Sequence, residues 1–459
     1  MRGLMNRYRR HAYSDLLLGG PLACGLVYWM LFHLPREAFI PLIGGWMCLF
    51  VLYGWWIAGP QNAITGQPSR ITGIILLGMI LRIIATFSVP VLSDDYVRFL
   101  WDGQLWHSGT NPFTVLPADL ALSPDKMQEL GLSMEWFQQL NSKEYFTIYP
   151  PVLQGIFWLA AWTGEFGSGI LVMKLILLFA EGLSVVFLIN ILHHLKRPLQ
   201  HAGWYILNPV VILELCGNLH FEALMITFLL AAIWLLMQKR EVWSAVMLGL
   251  SVATKLLPLL YLPLLIRRIG CWKSVRYGMI CIGVVALLYL PMFSLKMMAG
   301  FSESLELYVN RFEFNAGIWY AVRAVGVWIM GWNPIREIGP WLSLLAACLI
   351  LWMAFREQAP STGNWAGGML ATLTLYFFLS LIVHPWYITT LVVLAPLTGR
   401  TYPIVWSVFL PWTYLAYSVD PVNESMWVIA AEYLVVVLWI FSENKAWFQR
   451  VIPSQFTLD

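Results

Sequence analysis

Two adjacent aspartates, Asp94 and Asp95, stand in the segment Ser93-Asp94-Asp95-Tyr96-Val97-Arg98-Phe99-Leu100-Trp101-Asp102-Gly103. A carboxylate that is ionised, fixed and accessible can take the proton of an attacking hydroxyl. Arg98 follows Asp95 by three residues and precedes Asp102 by four, so one helix face can hold all three. A guanidinium beside a carboxylate also keeps it charged. The same residues read equally as a plain helix start, with Ser93 as cap and two acids in the first turn. Lys255 is the sharpest cation, because it interrupts the otherwise apolar run 243–266. A lysine at the bilayer centre costs roughly 2.5–3.5 kcal/mol on insertion scales. It is either a counter-charge for a phosphate or a wetted hairpin tip. His220, in Gly217-Asn218-Leu219-His220-Phe221-Glu222, and His384, in His384-Pro385-Trp386-Tyr387, lie at the ends of apolar runs. Each has a bland reading, a satisfied structural histidine and an interfacial aromatic belt. Arg323 repeats the logic of Lys255 within another apolar segment. Arg82, Glu181 and Glu214 are further charges in apolar runs, expected to pair within a bundle.

The elements that must position these residues are membrane helices. Of 459 residues, 59% are hydrophobic and 12% charged, against about 25% charged in a soluble globular chain. The 25 Trp and 19 Tyr suit the aromatic belts of a bilayer. Apolar runs long enough to span or nearly so lie near 14–34, 38–58, 71–91, 168–193, 202–217, 221–238, 273–293, 339–355, 365–383, 385–399, 401–417 and 425–442. Arg2, Arg7, Arg9 and Arg10 precede the first, with no cleavage site behind it. This predicts a retained span and a cytoplasmic N-terminus. The chain then emerges on the external side near residue 92, and the loop 92–147 carries eight acids against three bases. Keeping the basic turns 193–201, 238–241 and 267–268 cytoplasmic makes 149–162 a re-entrant or interfacial piece. It also makes 242–266 a hairpin turning at Thr254-Lys255 on the external side. Residues 315–332 are a second re-entrant candidate. The fold class is an all-α polytopic membrane protein of about 12–14 transmembrane helices, one domain over 1–459, with both termini inside. Loop 92–147 is its external first loop, carrying short helices. Loop 92–111, the break 218–222, Lys255, residues 310–323 and His384–Tyr387 then converge on one external cavity, where non-helical backbone is tolerated.

Other chemistries are not encoded. There is no GxxxxGK[ST], no GxGxxG after a strand and no HExxH, which argues against an ATP-driven pump, a dinucleotide enzyme and a zinc protease. No basic face interleaved with aromatics suggests nucleic acid. The six cysteines form no CxxC pair and sit mostly in apolar runs, as small buried hydrophobes do.

The run Ser-Asp-Asp-Tyr, Leu-Trp-Asp-Gly and Gly-Thr-Asn-Pro-Phe, between Ser93 and Phe113, resembles the first external loop of the GT-C superfamily of glycosyltransferases. The nearest branch is the bacterial polyprenyl-phosphate-mannose-dependent mannosyltransferases. The likeness continues through Thr147-Ile148-Tyr149-Pro150-Pro151, Leu207-Asn208-Pro209, Asn218-Leu219-His220, Ala253-Thr254-Lys255, Phe314-Asn315-Ala316-Gly317 and His384-Pro385-Trp386-Tyr387. It implies a GT-C-like bundle that moves a hexose, mannose by the resemblance, from a polyprenyl-phosphate donor to a glycan or lipid acceptor. An acidic residue of the first loop is then the base, Asp95 or Asp94, with Asp95 favoured for sharing a face with Arg98. Lys255, His220, Asn218, Arg323, His384, Tyr149 and Arg98 are the implied donor phosphate and sugar ligands. The reaction needs no cofactor. A divalent metal at Asp94/Asp95 remains an alternative, since hard cations take carboxylate oxygens. A transporter or flippase of lipid-linked glycans would share the buried charges, but the halves show no matched helix breaks.

Overall fold

The computed structural model describes residues 20–58, 68–357 and 360–451. Arg2–Arg10 and the start of the first expected span lie outside them. Among the described residues the chain is helical, and its one extended pairing is a parallel bridge between Phe314 and Ile382. Five helices are long and apolar enough to cross a membrane: Phe39–Ile57, Phe166–His194, Cys271–Met292, Ile335–Arg356 and Met426–Asn444. A sixth crossing is broken, Val211–Gly217 and Glu222–Met237 meeting at 111°. The protein is thus a multi-pass membrane protein. The remaining runs behind the expected 12–14 spans fold as shorter or interrupted helices.

Those interrupted helices form the interior. Run 202–217 is a short 3-10 turn, the helix Gly203–Ile206 and the π-helix Val211–Gly217, almost wholly buried. Run 385–399 starts as a 3-10 turn because Pro385 cannot donate to a preceding turn, and its helix Thr389–Thr398 is buried up to Leu397. The long helices Cys271–Met292 and Met426–Asn444 instead turn most of their surface outward, as lipid-facing elements should. Long smooth helices therefore enclose short broken ones. One buried apolar cluster runs continuously from Cys24 to Val436.

The break in the sixth crossing is held in two ways. A Cβ at Gly217 would sit 2.7 Å from the Phe32 ring, so the chain turns where no side chain is needed. Lys174, fully buried in Phe166–His194, donates to the carbonyls of Gly217 (2.8 Å), Ser88 (2.6 Å) and Ala85 (3.0 Å). It ties the end of the helix Pro68–Thr86 to the break. Nearby, Arg82 and Glu181 pair at 2.9 Å and Tyr205 donates to Glu181, the pairing expected of charges in apolar runs.

Loop 92–147 folds on itself. It holds the helix Asp95–His107 and short helices at Pro112–Thr114, Pro117–Ala121, Pro124–Glu129 and Met134–Gln139. Three of the four short ones begin with proline at the first helical position, where a missing N–H is harmless. Val97, Trp101, Leu105, Leu120, Met127, Leu132 and Leu140 make a separate small core. The expected re-entrant piece is the 11-residue helix Pro151–Ala161, packed on Asp95–His107. The two approach at Gly103, where a Cβ would collide with the Phe157 carbonyl. The expected hairpin is also present: Glu241 holds Lys273 (2.8 Å) and Arg276 (3.2 Å), so the chain returns to the level it left, with Lys255 at the far end.

Candidate active site

Asp94 ends the extended stretch after Pro68–Thr86, and Asp95 is the first residue of its helix. Asn218 fixes that stretch: its carbonyl oxygen accepts from the backbone N–H of Val91 (3.1 Å) and Leu92 (2.9 Å), and its amide donates to Leu213 O (3.0 Å). Its carboxamide is thus committed to the fold. Arg98 pairs with Asp102 (2.8 Å) and donates to the carbonyls of Ser142 and Tyr145 (2.9 Å each). Gln154 completes the lock by donating to Asp102 (3.2 Å). Helix spacing allowed Arg98 to reach either acid; burial selects the inward one.

The guanidinium that holds the acidic pair comes from elsewhere. Arg36, in the turn between the first two apolar helices, donates to Asp94 Oδ2 at 2.6 Å and lies 4.7 Å over the Tyr417 ring. Asp95 Oδ1 accepts from Asn141 at 2.8 Å. Both carboxylates keep solvent access. Burial raises the Tyr96 phenol above its ordinary value and the adjacent Asp94 charge adds to it. A signal for Arg36 was present in the sequence: an arginine in a short turn on the side read as external runs against the positive-inside rule.

From Tyr417 the contacts continue inward. Its ring lies 6.1 Å from Phe314, which stacks on His384 (4.8 Å). His384 stacks on Trp386 (4.4 Å), and Trp386 on His220 (3.8 Å). Lys255 lies 4.1 Å over Tyr387, which is edge-on to His384, and is ion-paired with Glu222. The Phe314–Ile382 bridge holds Phe314 at this point, through Phe314 N–H to Leu381 O and Val383 N–H to Phe314 O. The acidic pair and the three nitrogen bases Lys255, His220 and His384 are thus joined by one run of side chains.

Two ring nitrogens in this run have no partner among the described residues. His220 Nδ1 donates to Glu214 O at 2.9 Å, which leaves Nε2 buried and unbonded. His384 Nδ1 is likewise unbonded. A buried polar atom without a partner needs a reason, and a ligand oxygen is one. Lys255 itself remains about one-third exposed beside a nearly buried Glu222. Tyr149 stands apart from this run, edge-on to Phe99 (4.9 Å) and Phe157 (5.7 Å). Arg323 joins a neighbouring cluster: it pairs with Glu313, whose other oxygen accepts from Trp319, while Tyr320 donates to Glu424. Glu424 and the buried Glu432, joined through Asn315, carried no sequence signal beyond being acids near or within an apolar run. Among the described residues no three His, Cys, Asp or Glu side chains converge as a metal site.

Residues 24–269 match the family described as alpha-(1->6)-mannopyranosyltransferase, N-terminal domain. The chain belongs to this family. Two curated relatives carry the name alpha-(1->6)-mannopyranosyltransferase A. The one from Mycobacterium tuberculosis is 26% identical over 226 residues, 48% of this chain and 41% of the relative. The one from Corynebacterium glutamicum is 23% identical over 190 residues, 39% of this chain and 35% of the relative. The chain thus matches less than half the length of these relatives. The family match takes in Asp94, Asp95, His220 and Lys255 and stops before Phe314, Arg323, His384 and Tyr417. It agrees with the resemblance drawn from the motifs.

Proposed function

We propose that the protein is a membrane mannosyltransferase that moves mannose from a polyprenyl-phosphate carrier to a glycan or lipid acceptor on the external face of the cell membrane. The whole chain acts as one unit, with loop 92–147 as its catalytic loop. Asp94 is the base. It takes the proton of the acceptor hydroxyl as that oxygen bonds to the anomeric carbon. The bond from that carbon to the phosphate oxygen breaks, its electron pair leaving with the phosphate. Lys255, with His220 and His384, stabilises the departing phosphate from fixed positions, where preorganised charge is most effective. A single displacement without a covalent intermediate inverts the anomeric centre, by analogy with glycosidases. Asp94 is preferred to Asp95 because the criterion of a carboxylate fixed by a guanidinium is met by Arg36 and Asp94. No metal is invoked, since Arg36 already supplies the positive charge at Asp94.

The observation that carries this reading is the run of contacts from Asp94 through Arg36, Tyr417, Phe314 and His384 to His220 and Lys255. The test is transfer from labelled polyprenyl-phosphate mannose by purified protein in lipid. Asp94→Asn should lower transfer by about 10²–10⁴-fold without loss of folded protein. Undiminished transfer by Asp94→Asn, Asp95→Asn and the double variant would overturn the assignment.

A further inference from the structure

At the end of the molecule opposite Lys255, an open hollow of about 530 Å³ is lined by Lys239, Arg240, Glu241, Val242, Trp243 and Arg276. It lies where the turn between Glu222–Met237 and Glu241–Thr254 meets the start of the helix Cys271–Tyr289. With Lys273 the site holds four cations and one carboxylate. Glu241 serves only Lys273 and Arg276. Lys239 and Arg240 are exposed and have no ion-pair partner among the described residues. The hollow is therefore anion-seeking after its internal pairing is satisfied.

What lies beside it identifies the kind of anion. Trp272, Val275, Met279 and Ile282 follow helical spacing down one face of Cys271–Tyr289, and each is more than two-fifths exposed, Trp272 at 86%. Trp243, 60% exposed, stands on the other flank. Exposed tryptophans at the ends of apolar helices mark the bilayer interface. A free anion would use the cations and ignore this stripe. An amphiphile would use both, with its phosphate among the cations and its acyl chains along the helix.

We propose that this hollow binds the headgroup of an anionic phospholipid, with the chains packed against the stripe from Trp272 to Ile282. Basic pockets between helices on the cytoplasmic side hold such headgroups. The site is remote from the acidic pair and independent of the proposed transfer reaction.

Native mass spectrometry of the full chain, given phosphatidylglycerol and phosphatidylcholine in equal amounts, tests it. Phosphatidylglycerol should be retained in preference. Lys239→Gln, Arg240→Gln and Arg276→Gln should each lower its retention about five-fold, and Trp272→Ala should lower retention of both lipids. Equal retention of the two lipids, or unchanged retention in the triple Gln variant, would overturn the proposal. So would displacement of phosphatidylglycerol by inorganic phosphate, which would mark a free-anion site. Should the triple variant not fold, Arg240→Gln alone, at an exposed residue outside any ion pair, decides the matter.

Discussion

Lys174 and Lys255 are both lysines in apolar surroundings, and they are opposites. Lys174 is fully buried, and its ammonium donates to three backbone carbonyls and the Ser88 hydroxyl. It faces no carboxylate within ion-pair distance among the described residues, and no room is left for a ligand. Lys255 has one carboxylate, one aromatic face and an exposed remainder, next to two imidazole nitrogens with nothing to bond. An intramembrane charge is a functional hypothesis by default. The comparison refines that rule. A cation whose donors are all taken is a fastener, and one with donors left over in company with other unbonded groups is a binding site.

Each side of the comparison can be broken separately. The largest effect belongs to the acid that Lys255 is proposed to face. Asp94→Asn should lower kcat by about 10²–10⁴-fold, the range of a lost general base, with Asp95→Asn losing less. Transfer assays on folded protein read this, and a larger loss in Asp95→Asn would exchange the two roles. Next comes Lys174→Met, which leaves the carbonyls of Gly217 and Ser88 short of a donor at about 1–3 kcal/mol each. A thermal melt should show severe destabilisation, while the fraction that folds turns over normally. A stable Lys174→Met protein would make Lys174 no fastener.

Lys255→Met should lower transfer by about 10²-fold, as removal of an oxyanion-stabilising donor does, and also destabilise through the unpaired Glu222. The double variant Lys255→Met/Glu222→Gln should regain stability and not activity; recovery of both would reduce Lys255 to the class of Lys174. A smaller effect is expected at Arg36. Arg36→Lys should keep more activity than Arg36→Ala, and added guanidinium ion should rescue Arg36→Ala and not Asp94→Asn. The smallest is nil: a chelator should leave transfer unchanged, and metal-dependent recovery after chelation would return a cation to the acidic pair.

The residue types of the site were legible in the chain, and their connections were only partly so. Lys255 stood out because its neighbours are apolar and because the hairpin argument placed it at a turn. Lys174 did not, because a single lysine barely lowers the hydropathy of a 29-residue helix, and the carbonyls awaiting it come from residues 85, 88 and 217. For Arg98 helical spacing permits both Asp95 and Asp102, and only the inward burial of Asp102 decides. Asn218 is marked by its motif, but nothing local tells an amide that faces a ligand from one that faces backbone. The span count followed from apolar length, which cannot tell a lipid-facing helix from a buried broken one such as 202–217. Arg36, in the seven-residue turn between Gly20–Leu31 and Phe39–Ala58, was legible only as an arginine on the side read as external.

The Asn218 carboxamide grips the backbone two and three residues ahead of Asp94, and it lies two residues ahead of His220. One amide thus ties the backbone leading into Asp94 to the segment leading into His220. Beyond that tie, Leu120, Met127, Leu132 and Leu140 of the loop pack on Val97, Trp101 and Leu105. The sequence of that loop can therefore change without loosening the tie.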